Sequence, residues 1–152
     1  MRPPVRAGLV FAAILAADQV TKALVNASLA RGDERDVIGS VVRLVNVRNS
    51  GVAFGQLQDG GIIVSIVIAL AVSALLVYFA RNATRPWIWL PTGLLLGGAV
   101  GNIVDRIREG AVIDFVKLPH WPAFNVADSA IVVGVVVLLL VIEFGHADRR
   151  PA

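Results

Sequence analysis

Ile131-Val132-Val133-Gly134-Val135-Val136-Val137-Leu138-Leu139-Leu140-Val141-Ile142 decides the fold class. A run this rich in Val, Leu and Ile suits a strand in water only if it is short and bounded by turns, and this one continues without a turn signal. Extended to residues 126–144, it has the length of a helix crossing about 30 Å of hydrocarbon. The whole chain shares this character, being 57% apolar over 152 residues with a mean hydropathy of +0.75. That is far above a soluble domain of the same size and reads as an integral membrane protein.

Working outward, three more spans fall at about residues 5–29, 61–79 and 87–107. At roughly 20 residues per crossing, four spans use about half of the chain. The expectation is a single integral domain over residues 1–152, all-α, with four transmembrane helices and a small β-sheet on the outer membrane surface. Trp87, Trp89, Tyr78 and Trp121 lie at span ends, where aromatic rings suit the headgroup zone. Arg2, Arg6, the apolar stretch to Ala17 and Ser28-Leu29-Ala30 imitate a signal peptide. Asp18 and Lys22 interrupt the imitation, so the first span is expected to be retained.

Composition also excludes chemistry. There is no cysteine, hence no disulfide, thiolate metal site or cysteine nucleophile. The net charge of +3 comes from scattered basic residues, which argues against nucleic acid as a partner. His120 and His146 fall on opposite sides by the crossing count, and no metal site or cofactor is expected.

Between the first two spans, residues 37–57 read as a surface β segment. Val37 to Val47 suggests one strand, with Val45 and Val47 alternating with Asn46 and Arg48. Asn49-Ser50-Gly51 reads as a turn, Val52 to Leu57 as a returning strand, and Val112 to Val116 as another short strand.

If the helices alternate in direction, the polar clusters collect at one end. Asp18 and Lys22 lie late in the first span, Asn49 follows it, and Asn102, Asp105 and Arg106 close the third. Asp114 lies in the next connection, and Asn125 and Asp128 open the fourth. Asp18/Lys22 and Gly98/Asn102/Asp105/Arg106 recur at spacings of three and four, so each set shares a helix face. Ionisable groups there should face the bundle interior, because lipid exposure costs at least about 2.5 kcal/mol. Gly93, Gly97 and Gly101 form another spacing of four that permits close helix approach. Plainer readings stand beside each cluster. Asp18 and Lys22 neutralise one another, or hold a site together; Asn125 or Asp128 caps the fourth helix; Asp114, amid Ile113 and Phe115, needs a partner to offset desolvation. Two of these aspartates form a candidate catalytic dyad. A small transporter or proton relay is the rival class, weakened by the absence of polar groups in the fourth span from Ala130 to Ile142.

Asp18-Gln19-Val20-Thr21-Lys22, Asn49-Ser50-Gly51-Val52-Ala53-Phe54-Gly55, Gly98 through Arg106, Val112-Ile113-Asp114-Phe115 and Phe124-Asn125-Val126-Ala127-Asp128 resemble, in order and spacing, the signal peptidase II family. The resemblance spans most of the chain. It implies a bacterial membrane aspartyl protease that removes signal peptides from lipid-modified prolipoproteins, cutting before the diacylglyceryl cysteine. It implies that Asp114 and Asp128 are the catalytic pair, and that Asp18, Lys22, Asn49, Gly98, Asn102, Asp105, Arg106 and Asn125 bind substrate or support the site. Expected partners are lipidated prolipoproteins and membrane lipids, and the expected state is a monomer. Lys and Arg are too evenly divided between the two ends for the positive-inside rule to orient the chain. The resemblance places it in the inner membrane, with both termini cytoplasmic and the active face outward.

Overall fold

A computed structural model describes residues 1–39, 41–50 and 60–147, with side chains over residues 1–39, 41–50 and 70–144. Its elements are α1 (Pro3–Ser28), β1 (Glu34–Ile38), β2 (Val42–Asn49), α2 (Gly60–Asn82), α3 (Trp89–Glu109), β3 (Val112–Lys117) and α4 (Val126–Ala147).

Helix α3 is the centre of the bundle, packed against α1, α4 and α2. Glycine makes this possible. A Cβ on Gly93 would lie 2.6 Å from Val10 Cβ, and one on Gly97 would lie 2.8 Å from Ile14 Cβ. On another face, a Cβ on Gly98 would collide with the Ala127 carbonyl oxygen. The paired numbers rise together from α1 to α3, so those helices run parallel. Gly98 meets Ala127 while Gly134 meets Leu95, so α4 runs antiparallel to α3. The ends of α1 and α3 and the start of α4 therefore share one end of the bundle.

Outside this seam the helices expose large apolar side chains: Leu9, Val20 and Leu24 on α1, Leu70, Leu76 and Val77 on α2, Val132, Val136, Leu139 and Leu140 on α4. Among the described residues, α1 and the Val126–Phe144 part of α4 are long and apolar enough to cross a membrane, and only 17% of each apolar window is buried within the protein. A core helix of a soluble protein would be mostly buried. The sequence expectation was four such spans. Helix α3 departs from it because its last turns carry Asp105, Arg106, Arg108 and Glu109; α2 is 23 residues long, and its described side chains cover the apolar stretch Leu70–Asn82.

The sheet differs from the sequence reading in an instructive way. Residues 37–47 form two strands instead of one: the chain turns at Gly39, where φ is +52°, and β1 pairs antiparallel with β2. Strand β3 then pairs antiparallel with the other edge of β2, giving the order β1-β2-β3. The alternation expected for Val45 to Arg48 also fails. A register shift between Leu44 and Val47 leaves Val45 and Asn46 both buried and turns Val47 outward, as a bulge does. The expected strand over residues 52–57 lies outside the described residues.

Candidate active site

The first turn of α4 has backbone N–H groups that no intrahelical carbonyl can satisfy. Asn125, just before the helix, accepts the Asp128 N–H on Oδ1 at 2.8 Å, and Asp128 Oδ2 accepts the Asn125 N–H at 3.2 Å. This is the reciprocal capping arrangement, with Asp in the place usually held by Glu or Gln. The Ala127 N–H goes instead to Asp18 Oδ1 on α1, at 3.0 Å. Capping and clustering are thus the same geometry, not alternatives.

Strand β3 delivers Asp114. Its carboxylate is 2% exposed, as are its neighbours Ile113 and Phe115 to a similar degree. Two amides compensate its desolvation: Asn49 Nδ2 donates to Oδ2 at 2.9 Å and Asn125 Nδ2 donates to Oδ1 at 2.8 Å. Asn49 reaches it because β2 and β3 pair Asn49 with Val112 and Val47 with Asp114. Asn125 reaches it because the connection after β3 folds back, with Phe124 bonded to Val116 in both directions at 2.8 and 2.9 Å. Asn125 therefore contacts both candidate aspartates, one through its side-chain amide and one through its backbone.

Behind this pair lies a buried ionic cluster. Lys22 Nζ is 2.8 Å from Asp18 Oδ2 and 2.7 Å from Asp105 Oδ2, and it donates to Asn102 Oδ1 at 3.2 Å. The three ammonium hydrogens thus have three acceptors. Lysine has no acceptor, so it fixes the Asn102 amide with its oxygen inward. Asn102 Nδ2 is left to donate to Asp128 Oδ1 at 2.8 Å. Asp105 Oδ2 also accepts the Ile113 N–H at 3.0 Å. A parallel emerges: Asp18 holds the backbone of the residue before Asp128, Asp105 holds the backbone of the residue before Asp114, and Lys22 joins the two holders.

Arg106, half-buried, donates to the Asn102 carbonyl at 3.3 Å, while its Nε has no partner among the described residues. Asp18, Asp105, Asp114 and Asp128 outnumber the cations Lys22 and Arg106, which favours retention of a proton among the carboxyl groups. Asp114 carries that tendency: burial, opposed by the Asn49 hydrogen bond and reinforced by the negative charge of Asp128, pushes its pKa up to about 6 from 3.8. The amide of Asn125 and the charge of Lys22 pull the other way.

All ten residues singled out in the sequence fall at this end of the bundle. Gly98 serves the site indirectly, as the point where α4 can press its first turn onto α3. Two contributors carried no signal of their own. Gln19 Nε2 donates to Asp105 Oδ1 at 3.0 Å and to Asp18 Oδ2 at 3.2 Å, and only its position inside the Asp18–Lys22 block hinted at it. Asn46 closes the end of α1 through its bond to the Leu29 carbonyl at 2.8 Å, a role hidden by the misread alternation. Phe54 and the rest of residues 51–59 lie outside the described residues.

The chain has clear relatives among known proteins. The sequence model of the family described as Signal peptidase (SPase) II matches residues 10–144. The chain is 39% identical to the lipoprotein signal peptidase of Moorella thermoacetica, with 91% of this chain and 94% of that one covered. It is 40% identical to that of Syntrophomonas wolfei, with 93% and 96% covered. A solved structure described as a bacterial membrane enzyme superposes with a TM-score of 0.85 at 27% identity, over 96% of this chain and 92% of the other. Matched along nearly its whole length by sequence and by fold, the chain belongs to the signal peptidase II family of membrane aspartic proteases.

Proposed function

We propose that this protein is the endopeptidase that removes signal peptides from lipid-modified prolipoproteins, cutting before the diacylglyceryl cysteine, with Asp114 and Asp128 as its catalytic pair. The observation that carries this reading is the joint hold of Asn125 on both carboxyl groups, 2.8 Å to Asp114 Oδ1 and 3.2 Å from its N–H to Asp128 Oδ2. Carboxyl groups arranged this way resist double ionisation and share a proton. The ionised member takes a proton from water, and the neutral member hydrogen-bonds to the scissile carbonyl as water adds. The tetrahedral intermediate collapses when a proton reaches the leaving amine. The pair titrates as a unit, with Asp114 the member whose surroundings favour the proton, and the chemistry needs no cofactor.

The other residues named above support the pair. Asn102 and Asn49 hold its oxygens, Asp18, Asp105 and Lys22 hold its backbone, and Arg106 orients the site or binds substrate backbone or headgroup. In this reading all four helices cross the inner membrane as one integral domain with cytoplasmic termini, and the site lies at the outer interface, where a lipidated cysteine would arrive. The protein acts as a monomer in this account.

The test is a cleavage assay with one prolipoprotein in two forms, with and without the diacylglyceryl group. Cleavage before the cysteine of the lipidated form alone supports the reading. Equal cleavage of both forms, or none of either, contradicts it.

A further inference from the structure

At the end of the bundle opposite the carboxylates, α1 and α3 begin and α2 ends, and the charge pattern reverses. At the site end, Arg31 and Arg48 face Glu109, and Arg43 and Lys117 face Glu34. At the far end, Arg2, Arg6, Arg81 and Arg85 have no carboxylate within salt-bridge distance among the described residues. Neither α1 nor α3 has an acidic residue in its first turn or a side-chain cap on its free N–H groups, so both helix dipoles add positive potential there. Exposed Glu143, near the end of α4, is the acidic group of this end within the described side chains.

Two of the arginines, Arg6 and Arg85, sit against aromatic side chains. The Arg6 guanidinium lies 5.7 Å from the Trp89 ring centroid, and Trp87 packs on Trp89 at 5.8 Å between centroids. Arg85 donates to the Tyr78 hydroxyl at 3.4 Å. Trp87 is 63% exposed yet holds φ at +63°, a conformation bulky L-residues seldom adopt. Apart from its contact with Trp89, this indole faces outward. It gains from a membrane interface, where Trp rings prefer to sit.

We infer that this end is a binding surface for anionic phospholipid headgroups, with Arg6 and Arg85 contacting the phosphate, Arg2 and Arg81 enlarging the field, and Trp87 and Trp89 lying at the level of the glycerol. The occupant is a membrane lipid because the arginines are interleaved with interfacial aromatics on helices whose outer faces are apolar. Each arginine near an anionic surface adds to the attraction, so together they select charged over neutral lipid. The surface is remote from the aspartates and does not depend on their proposed role.

Tryptophan quenching in a Trp121→Phe background reports on Trp87 and Trp89 alone. The purified full chain is placed in phosphatidylcholine bilayers doped with brominated phosphatidylglycerol or, separately, brominated phosphatidylcholine. We expect phosphatidylglycerol to be enriched at these indoles by roughly threefold or more over its bulk share. Arg6→Gln with Arg85→Gln should abolish the enrichment, and Arg2→Gln with Arg81→Gln, which leaves the Trp89 stack intact, should reduce it. Equal quenching by the two lipids in the parent protein would overturn the inference, as would enrichment that survives all four substitutions. So would loss of enrichment in inorganic phosphate but not in chloride of equal ionic strength, which would mark a site for free phosphate.

Discussion

Asp18 Oδ1 accepts the backbone N–H of Ala127 at 3.0 Å, tying the middle of α1 to the first turn of α4. The other oxygen of Asp18 meets Lys22, which also meets Asp105, so the cluster is a triad. Asp18→Ala should therefore destabilise the protein by about 3–5 kcal/mol, the usual cost of removing one partner from a buried ionic group. Replacing Asp18 and Lys22 together by Leu and Met should not restore stability, because Asp105 then lacks its cation. Adding Asp105→Asn should recover a measurable part. Thermal unfolding of the three variants decides this, and a double variant as stable as the parent would show that Asp105 does not depend on Lys22.

Glycine substitutions separate close packing from helix propensity. Gly98→Ala drives a methyl group into the Ala127 carbonyl and should cost about 1–3 kcal/mol, the usual range for overpacking. Gly8→Ala, with open space around the added carbon, should stabilise α1 by up to about 1 kcal/mol. Similar unfolding temperatures for the two variants would contradict the proposed contact between α3 and α4.

Asp114 links stability to pH. Its folded pKa of about 6 lies above the ordinary 3.8, so the folded state binds the extra proton between those values. Stability from this group is complete below about pH 4 and is lost as pH rises through 6, by up to about 3 kcal/mol. Asp114→Asn removes the dependence. The variant should therefore gain stability relative to the parent between pH 4 and pH 7, whatever its absolute value. A difference that stays constant over that range would show that Asp114 is not held protonated by its surroundings.

Much of this was legible in the sequence because membrane burial is written in composition. The run from Ile131 to Ile142 needs no tertiary context to be read, and the polar residues stand out against it. Helical spacing then placed Asp18 beside Lys22. What could not be read was tertiary choice. Lys22 had two possible acids on α3 and α1, and spacing reveals only the one on its own helix. Ile113 and Ala127 matter through their N–H groups, which leave no trace in residue type. The hairpin at Gly39 was hidden because a single glycine in a valine-rich segment signals a bulge or a turn equally well, and the bulge in β2 then undid the alternation.

The crossing count predicts which loops face which side. In intact cells, a thiol reagent that cannot cross the membrane should label Arg31→Cys, at an exposed position beside the site. It should spare Thr84→Cys in the connection between α2 and α3. The chain has no native cysteine, so the background is low. Labelling at Thr84→Cys alone would invert the proposed orientation, and labelling at both would contradict an odd number of crossings between them.

In the proposed mechanism Asp114 and Asp128 act together on water. The most direct measurement is single-turnover cleavage of a lipidated prolipoprotein by the purified parent, Asp114→Asn and Asp128→Asn, each checked for folding by thermal unfolding. In the proposed mechanism either amide removes a required carboxyl group, so both variants should lose activity by about 1,000-fold or more while remaining folded. Parental cleavage rates in either folded variant would contradict the account.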